Sequence, residues 1–143
     1  MKKTKNENLA EELGLKDTLP SKKPRRKSSE PEHNLQCACV RWFRLRYRDM
    51  KHNLFAVPNG GWRNNIVAAK LKKEGVLSGV SDLILLKRNT QYGALLIEMK
   101  SRTGSQSEHQ KEWETKITED GYKYVICRSL DEFKSEIESY LKE

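Results

Sequence analysis

Three ionisable residues near the middle of this 143-residue chain, Asp82, Glu98 and Lys100, could assemble a metal-dependent hydrolytic site. In a β-strand, Glu98 and Lys100 project from one face and Met99 from the other. Paired carboxylates suit Mg²⁺ or Mn²⁺, which bind oxygen ligands and retain several waters. Lys100 would orient or deprotonate such a water, or stabilise the negative transition state. In the alternative interpretation, Asp82 caps a turn and Glu98 forms a solvent-exposed ion pair with Lys100.

A β-hairpin would bring these residues together. It is predicted by two apolar runs, 83–86 and 94–97, which are separated by polar residues and a glycine. If the turn is centred near Thr90, the residue numbers of two paired positions add up to about 180. Asp82 then lies opposite Glu98. Opposed residues have Cβ atoms about 5 Å apart, and like charges at that distance are destabilising unless a counter-charge offsets them. A divalent cation is the natural counter-charge.

The remaining predicted elements surround the hairpin in the order α-β-α-β-β-α-β-α. They are a first helix with Glu32 in its first turn and an apolar stripe over 35–47, strand 54–57, helix 62–74, helix 107–120, strand 122–127 and helix 130–141. Two sets of helix residues are predicted to face inward: Trp113 and Ile117 of the third helix, and Phe133, Ile137, Tyr140 and Leu141 of the fourth. Because the hairpin strands are apolar on both faces, helices must cover both. We therefore predict an α/β fold with a mixed central β-sheet flanked by helices.

The chain is basic, with a formal net charge of +8, and the excess is concentrated near the N-terminus. Residues 1–29 contain nine Lys or Arg against four acidic residues and few large apolar side chains, which is typical of a disordered arm. We predict a single folded domain over residues 30–143. A cationic surface attracts phosphate backbones. The run Lys22–Lys27 could be a nucleic-acid tether, a nuclear import signal or a solvated arm.

Composition argues against several classes of protein. The longest apolar stretches are far shorter than the roughly 20 residues that span a bilayer, and the N-terminus lacks an apolar signal core, so a soluble intracellular protein is expected. Cys37, Cys39 and Cys127 cannot all pair with one another and are predicted to be reduced and mostly buried. The three histidines lack the spacing of zinc ligands. No organic cofactor is expected.

Motifs over residues 30–143 fall in the order seen in one nuclease family. They are Glu32 followed by Gln36, Pro58-Asn-Gly-Gly-x-Arg63, Glu74-Gly-Val-x-Ser-Gly-Val-Ser-Asp82, Ile97-Glu-Met-Lys100, Gly104-x-x-Ser107 and Gln110. In this set the chain resembles the VRR-NUC (virus-type replication-repair nuclease) domains of the PD-(D/E)XK nuclease superfamily. It is similar to the small stand-alone phage and bacterial members. The resemblance implies a restriction endonuclease-like fold and a cytoplasmic location in a bacterial or phage-infected cell.

The resemblance also implies residue roles. It assigns catalysis to Asp82, Glu98, Lys100, Gln110 and Glu32. Asp82 and Glu98 would bind the metal, with the main-chain carbonyl of Met99 as a further ligand. Gln110 would hold the site or the attacking water, although a helix-surface glutamine is the alternative. One position departs from the pattern, because Ser81 stands where the family usually has proline, and we expect a less rigid turn rather than an inactive site.

Two segments are candidates for DNA contact. They comprise the loop residues Asn59, Gly60, Gly61 and Arg63 and the helix residues Lys70, Lys72 and Lys73. The loop matches a family loop near the substrate, and its arginine could hold a phosphate by paired hydrogen bonds. The alternatives are an ordinary glycine turn and a solvated helix face.

These observations predict a Mg²⁺- or Mn²⁺-dependent DNA endonuclease of replication, recombination or repair. Because no base-reading motif is found, we expect selectivity for branched, flapped or junction DNA. A homodimer is expected by analogy, since a small domain that cuts two strands needs a second active site. Three alternatives stay open: a sequence-preferring restriction-type enzyme, an RNA-directed nuclease, and a non-catalytic module for binding DNA or a protein partner.

Overall fold

The computed structural model describes residues 30–59 and 64–143, where helices flank a four-stranded sheet. The elements are α1 (Pro31–Arg46), a 3₁₀ turn (Arg48–Met50), β1 (Leu54–Ala56), α2 (Asn65–Lys73), β2 (Leu83–Leu85), β3 (Leu95–Met99), α3 (Glu108–Glu119), β4 (Lys123–Cys127) and α4 (Leu130–Lys142). Their order and the predicted α/β class are confirmed. The arm predicted over residues 1–29 lies outside the described residues.

The sheet is mixed, with the strand order β1-β2-β3-β4. The first three strands are antiparallel, whereas β3 and β4 are parallel and are joined by the crossover helix α3. In the hairpin, Leu83 pairs with Ile97 and Leu85 pairs with Leu95, so paired positions sum to 180. The predicted register is therefore confirmed.

The two faces of the sheet differ because successive strand side chains alternate in direction. Odd-numbered residues of β2, β3 and β4 point towards α1 and α4. They contribute to the buried core of Cys39, Phe43, Leu54, Leu83, Leu85, Leu95, Ile97, Met99, Cys127, Phe133, Ile137 and Tyr140. The even-numbered face carries Glu98 and Tyr124, and α3 covers it, with the Trp113 and Tyr124 rings 6.0 Å apart. Both faces are thus covered, and Glu98 and Tyr124 share the face opposite the core.

The predicted inward face of α4 is confirmed, because Phe133, Ile137 and Tyr140 are fully buried, while Trp113 and Ile117 of α3 are half-buried. Among the described helices, none combines the length and apolarity needed to cross a membrane.

Helix α2 is the least buried of the described helices. Its predicted start at Trp62 is too early, because the Asn64 side chain accepts a hydrogen bond from the Val67 N–H (2.9 Å) and caps the helix at that point. No residue of α2 is buried, and Ile66 is 82% exposed.

All three cysteines are free thiols, as predicted, and two of them lie in the core. Burial raises the pKa of Cys39 and of Cys127 from 9.0 to about 12. Cys37 is exposed.

The turn of the β2–β3 hairpin is held by the end of α4. The Tyr140 hydroxyl donates to the Lys87 carbonyl (2.6 Å), the Asn89 amide donates to the Tyr140 carbonyl (3.1 Å), and the Thr90 hydroxyl donates to the Glu143 carbonyl (2.6 Å). The end of the hairpin remote from Asp82 is therefore fixed by hydrogen bonds to a helix that belongs to the core.

Replacing Phe133 with alanine is expected to lower the free energy of unfolding by about 3 to 5 kcal/mol, because it leaves a cavity between α1, α4 and the sheet. Leu45→Ala is the control: Leu45 is 64% exposed, and its removal is expected to change stability by less than about 0.5 kcal/mol. Urea unfolding followed by circular dichroism measures both variants. Equal losses in the two would contradict the core described above.

Candidate active site

The structure brings the five predicted catalytic residues to one end of the sheet. Asp82 directly precedes β2, Glu98 lies in β3, and Lys100 directly follows β3. Gln110 lies in the first turn of α3, and Glu32 lies in the first turn of α1. Four separate segments therefore meet where β3 ends.

Glu98 is at the centre of this group and is only 2% exposed. Its Oε1 accepts a hydrogen bond from Gln110 Nε2 at 2.5 Å and lies 3.1 Å from Lys100 Nζ. Its Oε2 has no hydrogen-bond partner, and in residues 30–59 and 64–143 it is the only fully buried side-chain N or O atom of which this is true. A buried carboxylate oxygen without a partner has an open coordination position that a cation or a water could fill.

Asp82 stands opposite Glu98, one residue beyond the Leu83–Ile97 pair. Its Oδ2 accepts a hydrogen bond from the Met99 backbone N–H at 2.8 Å. In a strand, the N–H and C=O of one residue point to the same side, so the Met99 carbonyl also faces Asp82. The two predicted carboxylate ligands and the predicted carbonyl ligand are thus neighbours.

Both carboxyl groups bind protons more tightly than usual. Burial raises the pKa of Asp82 above 3.8, although the Met99 N–H and the Lys100 charge oppose this shift. Burial also raises the pKa of Glu98 from 4.5 to about 7, and the charge of Asp82 adds to the effect, while Lys100 and Gln110 lower it. The Lys100 ammonium, the Gln110 amide and the Met99 N–H therefore do not fully offset the charges of the buried Glu98 and the half-buried Asp82.

Gln110 is fixed at both ends of its amide. Its Oε1 accepts from the Ser107 N–H (2.9 Å), the Ser107 hydroxyl accepts from the Gln110 N–H (3.3 Å), and the Gln110 Nε2 donates to Glu98. The first two bonds form a capping box, which the Ser-x-x-Gln spacing signals in the sequence. Gln110 is therefore half-buried and bonded to Glu98, in contrast to the alternative of a free helix-surface glutamine.

Glu32 reaches the site from the other side of the sheet end. Its Oε1 accepts a hydrogen bond from the Ser101 N–H at 3.0 Å, and its charge contributes to the raised pKa of Asp82. A Cβ at Gly104 would lie 3.2 Å from this Oε1 and 2.9 Å from Ser101 Oγ, so the space admits little more than a glycine. Glu32 is exposed, unlike Glu98.

Two further side chains at this end were not predicted from the sequence. Tyr124 lies on the same sheet face as Glu98, and burial together with the Glu98 charge holds the pKa of its hydroxyl above the usual range. Arg128, directly after β4, donates hydrogen bonds to the Ser101 and Gly104 carbonyls. Neither residue belongs to a motif, and their partners are distant in sequence.

The donor set is compatible with a hard cation. In the described ranges, no group of three or more His, Cys, Asp or Glu side chains is arranged to hold a metal ion, so a cation here would have two carboxylates, one carbonyl and otherwise water as ligands. Few protein ligands, all of them oxygen, suit Mg²⁺ or Mn²⁺ and do not suit a structural zinc site. The unpartnered Oε2 of Glu98 gives such a cation a defined ligand.

A model of the VRR-NUC domain family matches residues 21–131, which include all five residues at the sheet end. The chain belongs to the VRR-NUC family. A solved structure described as "VRR_NUC domain protein" has a TM-score of 0.69 and 26% sequence identity, and the match covers 78% of this chain and 88% of the other. A comparison with curated proteins found no match. The predicted family is confirmed, and with it a nuclease-type domain.

In this VRR-NUC domain, a buried serine occupies the position where the motif resemblance predicts proline. Ser81 is fully buried, and its hydroxyl donates to the Leu83 carbonyl at 3.2 Å. A hydrogen bond thus restrains the backbone before Asp82, where a proline ring would restrain φ. The expectation of a less rigid turn stays a prediction.

The DNA-contact candidates are only partly described. Gly60, Gly61 and Arg63 lie outside the described residues. The Asn59 amide donates to the Val80 carbonyl (3.3 Å), so it ties the loop after β1 to the segment that leads to Asp82. The α2 residues Lys70, Lys72 and Lys73 are exposed, and Lys70 pairs with Glu74 at 3.8 Å. None of these described residues bonds to the carboxylate group.

Glu98→Gln is expected to stabilise the metal-free protein at alkaline pH. A raised carboxyl pKa contributes stability that is complete below the unfolded value of 4.5 and is lost as the pH rises through about 7. Glutamine keeps the acceptor for Gln110 and removes the charge. The difference in free energy of unfolding, variant minus wild type, should therefore grow by roughly 1 to 3 kcal/mol between pH 5 and pH 8.

Urea unfolding in EDTA at several pH values measures this difference. Glu138→Gln, an exposed acid on α4, is the matched control and should show no such trend. A pH-independent difference for Glu98→Gln would contradict the buried, partly uncompensated charge.

Proposed function

We propose that this chain is a Mg²⁺- or Mn²⁺-dependent DNA endonuclease with its active site at Asp82, Glu98 and Lys100. The observation that carries the proposal is the buried Glu98 carboxylate, which has one oxygen held by Lys100 and Gln110 and the other without a partner. An arrangement that leaves a charged oxygen buried and open lowers stability unless a cation binds there. Membership of the VRR-NUC family supports nuclease chemistry at the same residues.

Each active-site residue would have a distinct role in the proposed reaction. Asp82, Glu98 and the Met99 carbonyl would hold the cation, which when bound supplies an acidified water and shields phosphate charge. Lys100 places an ammonium beside the carboxylates, where it would stabilise the negative charge that develops on the reacting phosphate. Gln110 holds Glu98 in one rotamer, and its capping box with Ser107 fixes the amide before substrate arrives.

Selectivity for DNA structure, rather than for sequence, is the second part of the proposal. The net charge of +8 supports attraction to phosphate backbones, which carries no sequence information. Asn59, Gly60, Gly61, Arg63, Lys70, Lys72 and Lys73 are the proposed backbone contacts. Of these, Lys72 and Lys73 are exposed and carry no ion pair within the described ranges.

Cleavage of branched, flapped and linear DNA by the full chain tests this function directly. We expect wild type to cut with Mg²⁺ or Mn²⁺ and to be inactive in EDTA. Asp82→Asn and Lys100→Met should each lower the rate by about 10² to 10⁴-fold, because each removes a charge that acts on the reacting centre.

Glu138→Gln and Lys142→Met, which neutralise exposed charges on α4, are the matched controls and should retain full activity. The proposal fails if wild type cuts none of the substrates, or if the active-site variants cut as well as the controls. The first result would favour a non-catalytic binding module. Cut sites mapped on a plasmid separate the remaining alternatives, since a sequence-preferring enzyme gives fixed fragments, and parallel RNA substrates identify an RNA-directed nuclease.

A homodimer is also proposed, because cutting both strands of a duplex in one encounter needs two active sites. Light scattering coupled to gel filtration should give twice the 16.7 kDa chain mass. A mixture of wild type with excess Asp82→Asn should convert double-strand cuts into single-strand nicks, since most wild-type subunits would then be paired with an inactive one. Two results would exclude the dimer: the mass of a monomer, or double-strand cutting that falls only in proportion to the fraction of wild-type chains in the mixture.

A further inference from the structure

Within the described part of the chain, the Arg128 guanidinium bonds only to main-chain carbonyls. It directly follows β4 and is half-buried. Its Nη1 donates to the Ser101 carbonyl at 2.7 Å and to the Gly104 carbonyl at 2.6 Å. Hydrogen bonds from a charged donor are stronger than neutral ones, so both carbonyls are held firmly. Across residues 30–59 and 64–143, no carboxylate lies within ion-pair distance of this guanidinium, so ion pairing does not explain its position.

The two carbonyls belong to a single tight turn, residues 101–104. The Gly104 N–H donates to the Ser101 carbonyl at 3.2 Å and closes the turn. That carbonyl therefore accepts two hydrogen bonds, one from within the turn and one from Arg128. Arg128 joins the first and last residues of the turn through one nitrogen.

This turn adjoins the active-site residues on both sides. It begins directly after Lys100, whose N–H donates to the Cys127 carbonyl (3.0 Å) as the last bond of the β3–β4 pairing. A Cβ at Gly104 would lie 3.5 Å from Lys100 Cδ and 3.2 Å from Glu32 Oε1. The turn also supplies the Ser101 N–H to Glu32. Its conformation thus limits where the Lys100 side chain and the Glu32 carboxylate can lie.

Arg128 is itself anchored to the core. Its backbone N–H donates to Glu132 Oε2 at 2.6 Å, and the Ser129 hydroxyl caps α4 by accepting from the Glu132 N–H at 3.1 Å. Helix α4 is held in turn by Phe133, which is fully buried. The guanidinium therefore connects the irregular turn to a rigid strand–helix junction.

We propose that Arg128 is a positioning residue for the nuclease reaction: by fixing the 101–104 turn it holds the Lys100 ammonium and the Glu32 carboxylate in their working positions. The inference rests on the proposed function. A competing role exists, because Arg128 also lines an open cavity with Arg102, Ser129 and Glu132, where it could contact a DNA phosphate directly.

Kinetics separate the two roles. Arg128→Met is expected to lower kcat by about 10 to 100-fold with less than a threefold change in KM, since misplacing a catalytic group acts on the chemical step. Arg128→Lys, which retains a charged donor, should recover activity to within tenfold of wild type. A lost phosphate contact would instead raise KM, weaken its salt dependence and leave kcat unchanged.

Amide hydrogen exchange gives a readout that does not depend on cleavage. In Arg128→Met, the Ser101 and Gly104 amides should exchange at least tenfold faster, while the β3 amides keep their protection. Arg88→Met removes an exposed arginine from the opposite end of the hairpin and is the charge-matched control, with no expected change in exchange or kcat.

Faster exchange in the turn together with a kcat loss that Arg128→Lys largely restores supports the positioning role. An unchanged kcat overturns it, whether KM rises or not, and so does unchanged exchange at Ser101 and Gly104. If wild type itself does not cleave DNA, the proposed function fails, and the exchange result then reports separately whether Arg128 fixes the turn.

Discussion

Burying the Glu98 carboxylate costs free energy, because a charge loses its hydration when it enters a sheet covered by helices. The residues around it lower that cost without removing it. Lys100 and Gln110 satisfy one oxygen, whereas the second oxygen and the facing Asp82 keep negative charge concentrated at one point. This partly compensated charge is the feature that the proposed cation would neutralise, and it makes the placement of the neighbouring groups important.

Each neighbour is placed by a different local device. Pairing of the hairpin strands sets Asp82 against Glu98, and strand alternation puts Lys100 on the same face. A helix-capping box orients Gln110, and a tight turn receives Glu32 through its first N–H. These strand ends, the helix cap and the turn all adjoin elements that pack in the core. The core can therefore hold their backbone rigidly, while the side chains that they orient lie outside the core.

The sequence predicted the parts of this arrangement that follow from periodicity. The hairpin register was predictable because two apolar runs flank a short polar turn, and the α4 face was predictable because Phe133, Ile137 and Tyr140 recur at helical spacing. The start of α2 was not predictable from periodicity, because it is set by the N-cap hydrogen bond of Asn64. Arg128 could not be identified either, because its acceptors are main-chain carbonyls in an irregular turn, 24 and 27 residues away.

The pleat of β3 places neighbouring residues on opposite faces of the sheet, where they have different functions. Leu95, Ile97 and Met99 pack in the core, whereas Glu98, on the opposite face of the same five-residue strand, contacts Lys100 and Gln110. Substitutions on one side should therefore combine almost independently with substitutions on the other. A lineage could lose or exchange the chemistry at this edge and still inherit an intact, even more stable, scaffold. Relatives that share the fold therefore need not share the reaction.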